Sequence, residues 1–300
     1  MQKEIITIFQ AGSLNIPFIQ ISKAFERKYP EYLVKMENSG SIKAAKKIYE
    51  EGKKADVIAS ADYKVIDNLL IPKYAKFNAQ FSTNEMVIAY TKKSTYANEI
   101  TEKNWTDILL KEEVKIAHTN PNLDPCGYRS IFLVKLAENF YNIPNFYNEL
   151  LGYGEFYKNK SENKNKIIVK NSESELLELI QRNKYDYLFI YKSVAKQHKL
   201  EYLCLPKEIS LIDNEKESFY KTVSFKIEGK NKGSYLRKSA EAMIYGITLI
   251  QNDKISKNKE GAIKFVNFVL SKEGQKIMFK NGQDVINPAI ITGDSSILLK

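Results

Sequence analysis

Hydrophobic and polar residues along the chain follow two repeating patterns. Short apolar stretches typical of buried strands cover residues 5–9, 33–36, 56–60, 86–90, 114–118 and 187–191. Between them, apolar residues recur about every 3.6 positions, as in amphipathic helices, over residues 18–29, 42–49, 65–70, 131–141 and 176–180. Because strands that alternate with helices form parallel or mixed sheets covered by helices on both faces, the pattern predicts an α/β fold.

The last third of the chain predicts a slightly different order of elements. Residues 220–227 and 243–250 have the composition of strands, and residues 261–279 have the pattern of one long helix that ends near Gly282. This part of the chain is therefore expected to contribute two strands and a single helix to the α/β fold.

Chain length predicts two lobes, because 300 residues exceed the usual size of one domain. We place the crossings between the lobes near residues 81–90 and 203–209. Residues 1–83 together with 206–300 then form the first lobe, and residues 84–205 form the second.

The charge of the chain is basic but mixed. Lys and Arg total 46 against 36 Asp and Glu, a net charge of +10, and the lysines are spread along the chain with a local concentration at 158–170. Proteins that bind nucleic acid more often group their basic residues on one element, with aromatic residues between them. We therefore favour a solvated surface and expect no nucleic-acid partner, while the positive charge speeds the approach of a small anion.

The sequence leaves two cellular locations open. No segment reaches the ~20 consecutive apolar residues that a membrane-spanning helix needs. The N-terminus continues directly into the first predicted strand, without the charged and apolar regions of a signal peptide. Either the protein is cytosolic, or the chain is a mature form whose leader has been removed.

Residues that commonly carry out catalysis are sparse. Cys126 and Cys204 form no CxxC pattern and are expected to be free thiols, and His118 and His198 lack the spaced partners of a zinc site. No GxSxG, HExxH or phosphate-loop motif is present. We therefore expect a binding protein with no cofactor, and an enzyme on an α/β scaffold stays the alternative from another class.

Three polar residues, Ser13, Ser41 and Asp124, stand where a predicted strand gives way to a helix. The first N–H groups of a helix have no partner within it, and the helix dipole places partial positive charge there. Several such ends that converge on one place bind an anion without lysine or arginine. A serine hydroxyl adds a further donor, and the glycines beside the serines, Gly12 and Gly40, permit close approach of a ligand to the backbone.

Helix capping is the simpler interpretation of each of these residues. Serine and aspartate are preferred N-cap residues, so Ser13, Ser41 and Asp124 need no ligand to explain them. Asp124 before Pro125 is typical of a capped helix start. The spacing is compatible with helix capping, with anion binding, and with both roles at once.

The motif NPNLDPCGYR at residues 120–129 is the most informative stretch of the chain. It resembles the tungstate/molybdate-binding family of ABC importers, in its archaeal-type branch. Other motifs that resemble this family lie along nearly the whole chain, at 9–14 (FQAGSL), 39–41 (SGS), 56–62 (DVIASAD), 84–90 (NEMVIAY) and 186–195 (DYLFIYKSVA). The C-terminal pair FVNFVLS and EGQ, at 265–271 and 273–275, is common to many solute-binding proteins and indicates only the broader fold.

The resemblance implies an extracytoplasmic solute-binding protein that captures tungstate or molybdate and delivers it to the permease of an ABC importer. It implies a two-lobed periplasmic-binding-protein type II fold, with mixed sheets flanked by helices and the ligand in the cleft between the lobes. A monomer is expected, anchored by lipid in its full precursor. The same fold binding sulfate or phosphate is the alternative.

The resemblance also assigns the binding residues. Gly12, Ser13 and Ser41 correspond to the donors of the first lobe, and Asp124, Pro125 and Cys126 to the turn that binds the oxyanion in the second. The acidic residue of the family falls on Glu173, with Glu175 only two positions away, and its tyrosine falls on Tyr191.

Two carboxylates at an anion site need a physical explanation. Asp124 and Glu173 repel a dianion, and buried like charges disfavour one another. They suit the site if their oxygens bond the tungsten or molybdenum atom itself and raise its coordination from four oxygens toward six, as the resemblance implies. Hard, high-valent metals prefer oxygen donors, whereas the sulfur of sulfate has no room for added ligands.

Simpler roles stay open for these residues as well. Glu173 in a first helical turn is explained by the helix dipole, and Tyr191 at a strand end by packing. Arg129 is a candidate anion ligand, but it also serves as the partner of a nearby carboxylate without any ligand.

Overall fold

The computed structural model describes residues 3–157, 166–231, 233–252 and 254–299. Lys158, Lys160 and Lys164, part of the basic concentration noted above, lie outside these residues. The chain divides into two compact units: unit 1 comprises residues 1–83 and 244–300, and unit 2 comprises residues 84–243. Each unit combines a sheet with helices, and the predicted α/β class is confirmed.

Thirteen strands are present in the described part of the chain. In chain order they are β1 Glu4–Ala11, β2 Tyr32–Ser39, β3 Val57–Ser60, β4 Phe77–Thr83, β5 Met86–Tyr90, β6 Ile116–Thr119, β7 Ile167–Lys170, β8 Tyr187–Tyr191, β9 Glu201–Leu203, β10 Ser224–Glu228, β11 Tyr235–Ser239, β12 Ile244–Leu249 and β13 Asp284–Gly293.

Twelve α-helices are present among the same residues. They are α1 Asn15–Lys28, α2 Ser41–Tyr49, α3 Tyr63–Leu69, α4 Trp105–Leu110, α5 Pro125–Tyr141, α6 Phe146–Leu150, α7 Glu173–Gln181, α8 Lys192–Gln197, α9 Lys207–Ser210, α10 Glu217–Tyr220, α11 Lys259–Leu270 and α12 Lys272–Lys280. None of the helices in the described residues is both long enough and apolar enough to cross a bilayer.

Unit 1 is built on a six-stranded sheet with the strand order β13-β4-β12-β3-β1-β2. β1 pairs in parallel with β2 and β3, so that Ala11 lies opposite Ser39 where β1 and β2 end. β12 returns antiparallel between β3 and β4, and β13 pairs antiparallel with β4. The carboxyl ends of β1 and β2 therefore meet at one edge of the sheet, and each leads into a helix.

Unit 2 is built on a five-stranded sheet with the order β7-β6-β8-β5-β9, and β10 and β11 form a separate two-stranded ribbon. β6 pairs in parallel with β7 and β8, with Thr119 opposite Lys170 at the ends of β6 and β7. β5 pairs antiparallel with β8 and β9. Helix α5 packs against this sheet and is buried on nearly all sides, with Ile131, Leu133 and Val134 among its fully buried residues.

The return to unit 1 comes later in the chain than the predicted return near residues 203–209. Residues 206–243 belong to unit 2, and unit 1 resumes at Ile244. The ribbon holds this segment in place: Lys135 Nζ donates to the Ser224 carbonyl at 2.9 Å, and the Glu228 N–H donates to Asn122 Oδ1 at 3.0 Å. The strand pattern before residue 206 gives no sign of these contacts, because they join residues far apart in sequence.

Three further element predictions are corrected. The single helix over 261–279 is two helices, α11 and α12, because Ser271 is extended and its Oγ accepts from the Gly274 N–H at 3.3 Å to start α12. Tyr220 ends helix α10 rather than starting a strand, and β10 begins at Ser224. Helix α5 begins at Pro125, six residues before the apolar pattern that predicted it.

Candidate functional site

The motif at residues 120–129 forms a tight turn that leads from β6 into α5. Asn120 shapes it: its Oδ1 accepts from the Asn122 N–H at 3.0 Å, and its carbonyl accepts from the Asp124 N–H at 3.0 Å. Asp124 is the N-cap of α5, with its Oδ1 accepting from the Cys126 N–H at 3.0 Å, and Pro125 occupies the first turn. The capping interpretation of Asp124 is therefore confirmed, and its carboxyl is 4% exposed.

Gly127 permits the close approach of α5 to the end of β6. A Cβ atom at this position would lie 2.3 Å from the Thr119 carbonyl oxygen and 2.7 Å from the carbonyl carbon of Asn120. Both contacts are with backbone, which cannot move aside as a flexible side chain can. The glycine of the motif is thus required by packing, and it brings Thr119 against the first turn of α5.

Glu173 is the first residue of α7, which follows β7 as α5 follows β6. The two connections are tied together, because the Asn120 N–H donates to the Lys170 carbonyl at 2.7 Å and Asn120 Nδ2 donates to Asn171 Oδ1 at 3.2 Å. Ser172, not Glu173, caps α7, accepting from the Glu175 N–H at 3.4 Å.

The structure distinguishes Glu173 from the acid two positions later. Glu173 is 3% exposed, whereas Glu175 is exposed and hydrogen-bonds with the Ser172 hydroxyl. Among the described residues, neither carboxyl oxygen of Glu173 has a nitrogen or oxygen hydrogen-bond partner. A buried carboxyl group without a nitrogen or oxygen partner is costly, so the helix dipole alone does not account for Glu173.

The pKa values of the two buried carboxyl groups are both raised. Burial raises the pKa of Glu173 well above its usual value, and the charge of Asp124 raises it further. Burial also raises the pKa of Asp124, against the opposing effects of the Cys126 N–H, Arg129 and the Thr119 hydroxyl. Glu173 therefore lies within the electrostatic field of Asp124.

Cys126 lies between these groups and is fully buried. Burial, followed by the charges of Glu173 and Asp124, raises the pKa of its thiol well above the usual value, so the thiol stays protonated. Its Sγ lies 3.7 Å from the Phe189 carbonyl, and its backbone N–H is already taken by Asp124. Pro125 has no backbone N–H and cannot donate a hydrogen bond. The backbone N–H of Cys126 already donates to Asp124, so neither backbone donor expected of this turn is free in this structure.

Arg129 and Tyr191 form a buried pair beside the acids. Arg129 is 3% exposed, and its Nη1 donates to the Tyr191 hydroxyl at 3.0 Å. Its positive charge lowers the pKa of both Asp124 and Glu173, in agreement with the interpretation of Arg129 as the partner of nearby carboxylates. Tyr191, at the end of β8, therefore does more than pack: it holds the guanidinium group near the two acids.

A buried network behind the turn was missed by the sequence reasoning. His118 Nδ1 lies 2.8 Å from the Thr119 carbonyl, and His118 Nε2 lies 2.7 Å from the Tyr153 hydroxyl. Burial lowers the pKa of His118 to about 4, so the ring is neutral near pH 7. The neutral tautomer that fits both contacts donates from Nδ1 to Thr119 and accepts from Tyr153 at Nε2.

In unit 1, Ser13 lies in a 3-10 turn, Gly12–Leu14, between β1 and α1. Its hydroxyl accepts from the Tyr245 hydroxyl at 3.0 Å, and its carbonyl accepts from Gln283 Nε2 at 3.2 Å. The helix that follows has no side-chain cap, so the capping interpretation of Ser13 is wrong. Tyr245 and Gln283 could not be found from the sequence, because more than 200 positions separate each from Ser13.

Ser41 is the first residue of α2, after Gly40 as the N-cap, and is completely buried. Its hydroxyl accepts from the Ala61 N–H at 2.9 Å rather than capping its own helix, so here too the capping interpretation is wrong. A hydroxyl that accepts one hydrogen bond retains its own proton for donation. Ser13 and Ser41 both have this arrangement, which suits donation to an anion.

The eight predicted site residues are therefore divided between the units. Gly12, Ser13 and Ser41 lie in unit 1, where β1 and β2 end, and the other five lie in unit 2, around the ends of β6, β7 and β8; those five are Asp124, Pro125, Cys126, Glu173 and Tyr191.

The chain is similar to known solute-binding proteins along most of its length. Residues 6–283 match the bacterial extracellular solute-binding protein family. An uncharacterized solute-binding protein of Petrotoga mobilis is 43% identical over 283 residues, which cover 94% of this chain and 84% of that protein. Molybdate/tungstate-binding protein WtpA of Pyrococcus abyssi is 38% identical over 305 residues, covering 96% of this chain and 87% of that protein.

The fold has relatives among solved structures. The periplasmic molybdate-binding protein of Azotobacter vinelandii superposes with a TM-score of 0.63 at 13% identity, covering 93% of this chain and 98% of that one. At this identity the likeness concerns the fold alone, and it confirms the predicted periplasmic-binding-protein class. The resemblance that the motifs indicated is confirmed by the relatives at higher identity. The chain belongs to the bacterial extracellular solute-binding protein family.

Proposed function

We propose that this protein captures tungstate or molybdate outside the cytoplasm and delivers it to the membrane permease of an ABC importer. The family supports a solute-binding role and an extracytoplasmic location. The relative from Pyrococcus abyssi, whose name specifies molybdate and tungstate, supports the choice of ligand.

The observation that carries the proposal is the buried pair of Asp124 and Glu173. Both oxygens of Glu173 lack a nitrogen or oxygen partner among the described residues, and the charge of Asp124 disfavours ionisation of Glu173. Two such groups weaken the binding of sulfate or phosphate, whose central atoms accept no further oxygens. They strengthen the binding of an oxyanion whose metal atom does accept them.

We propose the following division of roles. Asp124 and Glu173 bond the tungsten or molybdenum atom of the bound oxyanion, while Gly12, Ser13 and Ser41 donate to its oxygens. Cys126 and Tyr191 contribute hydrogen bonds near the acids, and Pro125 shapes the turn.

In the ligand-free protein the Cys126 N–H is held by Asp124 Oδ1. Binding of a metal atom by that carboxylate therefore frees the N–H to donate to an oxygen of the oxyanion.

The direct test is a titration of the purified protein with tungstate, molybdate, sulfate and phosphate by calorimetry and thermal unfolding. We expect heat and a rise in Tm with tungstate and molybdate, since a ligand at 100 times its Kd stabilises the folded state by about 2.7 kcal/mol. Neither heat nor stabilisation at micromolar tungstate or molybdate would contradict the proposal. Preferential binding of sulfate or phosphate would favour the alternative ligand instead.

Three further parts of the proposal need their own measurements. The protein acts by binding rather than catalysis, so tungstate recovered after incubation is unchanged. It is a monomer with and without ligand, which light scattering after gel filtration tests. The full precursor carries a lipid anchor, and the mass of the protein isolated from its native membrane would reveal or refute the added lipid.

A further inference from the structure

Thr119 ends β6 and is fully buried beside the proposed ligands of the metal oxyanion. Its side-chain hydroxyl has no hydrogen-bond partner among the described residues. A hydroxyl buried without a partner destabilises the fold relative to a partnered one. Such a group in a native structure calls for an explanation, and a role in the site beside it is one.

The backbone of Thr119 is held firmly, which gives its side chain a defined position. Its carbonyl accepts from His118 Nδ1 at 2.8 Å, and His118 in turn contacts the Tyr153 hydroxyl at 2.7 Å. The same carbonyl lies against the first turn of α5, where only a glycine fits at position 127.

Thr119 borders the first turn of α5, because a Cβ atom at position 127 would lie 2.3 Å from its carbonyl oxygen. Asp124 caps that same turn, so the buried hydroxyl lies in the neighbourhood of its carboxyl group. One carboxyl oxygen of Asp124, Oδ1, already accepts from the Cys126 N–H. If Asp124 releases that N–H to the oxyanion, its carboxylate needs another donor, and Thr119 is adjacent.

We propose that Thr119 is a positioning residue whose hydroxyl donates to the Asp124 carboxylate in the loaded protein and orients it toward the metal atom of the oxyanion. The inference rests on the proposed function, because it assumes that Asp124 bonds the metal. Carboxylates that bind metals are commonly held by such hydrogen bonds, and loss of the outer donor typically weakens metal binding by about 10- to 100-fold.

The test compares Thr119→Val, which removes the hydroxyl and keeps the shape, with Thr119→Ser, which keeps the hydroxyl. We expect Thr119→Val to weaken tungstate binding by about 10-fold or more, and Thr119→Ser to restore most of it. Tm of the ligand-free Val variant stays equal or rises, because the variant removes a buried unpartnered hydroxyl. Sulfate affinity changes little, since sulfur takes no ligand from Asp124.

Thr248→Val is the matched control. Thr248 is also a buried threonine, but its hydroxyl donates to the Phe77 carbonyl in unit 1. We expect this variant to lose Tm and keep tungstate affinity, the reverse of Thr119→Val. X-ray absorption at the tungsten edge gives an independent readout: the number of oxygens around tungsten falls toward four in Thr119→Val.

The outcomes separate the inference from the function on which it rests. Wild-type affinity in Thr119→Val, or a loss that Thr119→Ser does not restore, would overturn the role of the hydroxyl alone. Absence of tungstate binding by the wild-type protein would overturn the proposed function and this inference with it.

Discussion

In both units two parallel strands end side by side and helices follow them, but the residues at these positions differ. In unit 1, the parallel strands β1 and β2 end with Ala11 opposite Ser39, and each is followed by a helix whose start carries a buried serine. In unit 2, the parallel strands β6 and β7 end with Thr119 opposite Lys170, and the helices that follow start with buried acids. Topology thus supplies two equivalent positions in each unit, and the residue type there decides what they bind.

The partners of these residues sharpen the contrast. The hydroxyls of Ser13 and Ser41 each accept a hydrogen bond within unit 1 and keep a proton to donate. Glu173 has no oxygen or nitrogen partner in the described part of unit 2. Hydroxyl donors serve the oxygens that all tetrahedral oxyanions share, whereas carboxylates serve only a central atom that accepts oxygen. Under the proposed function, unit 1 therefore contributes affinity for any tetrahedral oxyanion, and unit 2 contributes selectivity.

Removing the negative charge of the acids should have the largest effect. We expect Asp124→Asn or Glu173→Gln to weaken tungstate binding about a thousandfold, which corresponds to about 4 kcal/mol, because an amide is a poor ligand for the metal. Sulfate binding should stay equal or improve, since repulsion is removed. Calorimetry with both anions measures the ratio.

Two controls accompany these variants. Asp62→Asn changes another buried aspartate that caps a helix, with its carboxyl accepting from the Lys64 N–H at 2.9 Å in unit 1. Glu175→Gln changes the exposed acid in the first turn of α7. Both should leave tungstate affinity unchanged, and equal losses of tungstate and sulfate in the acid variants would break the comparison between the units.

Acid should destabilise unit 2 through His118. Its folded pKa of about 4 lies below the usual 6.5, so the unfolded chain binds more protons between these pH values. Stability from the neutral ring is fully present above pH 6.5 and is lost as pH falls toward 4, by about 3 kcal/mol at most. His118→Asn keeps a donor for the Thr119 carbonyl without titrating. Denaturant unfolding across this pH range should show a smaller loss of unfolding free energy in the variant than in the wild type. If the free energies of the two proteins fall equally with pH, His118 is not the cause.

Glu173 should have the opposite dependence on pH. Its folded pKa is raised, so the folded protein binds more protons than the unfolded chain above the usual carboxyl range. Stability is then fully present at low pH and falls as pH rises. Glu173→Gln should stabilise the ligand-free protein at pH 7, although it weakens tungstate binding. Denaturant unfolding measures this, with Glu175→Gln as the variant that should not differ from wild type.

Replacing the serines of unit 1 should have the smallest effect on anion affinity, and the effect should be similar for all tetrahedral oxyanions. Ser13→Ala and Ser41→Ala each remove one donor to an oxyanion oxygen, so we expect a loss of about 1 kcal/mol per variant. Tungstate and sulfate should lose affinity to the same extent. Ser22→Ala, at a buried serine of α1 whose hydroxyl contacts Met36 Sδ at 3.4 Å, is the control. If Ser13→Ala changes the ratio of tungstate to sulfate affinity as much as Asp124→Asn does, the division of roles between the serines and the acids is wrong.

Local patterns along the chain determined much of this protein. The alternation of apolar stretches identified the strands and helices that carry the site, and Asp124 before Pro125 indicated the start of α5. These predictions succeeded because backbone hydrogen bonding and capping depend on residues only a few positions apart. The motif at 120–129 then indicated the family to which the chain belongs.

Only the tertiary structure decided which groups are buried and what they contact. It separated Glu173 from Glu175, replaced the capping roles of Ser13 and Ser41 with contacts to Tyr245 and Ala61, and placed Thr119 beside Asp124. It also assigned residues 206–243 to unit 2. Burial and electrostatic coupling arise from strands and helices brought together over long distances along the chain, so no local pattern of residues contains them.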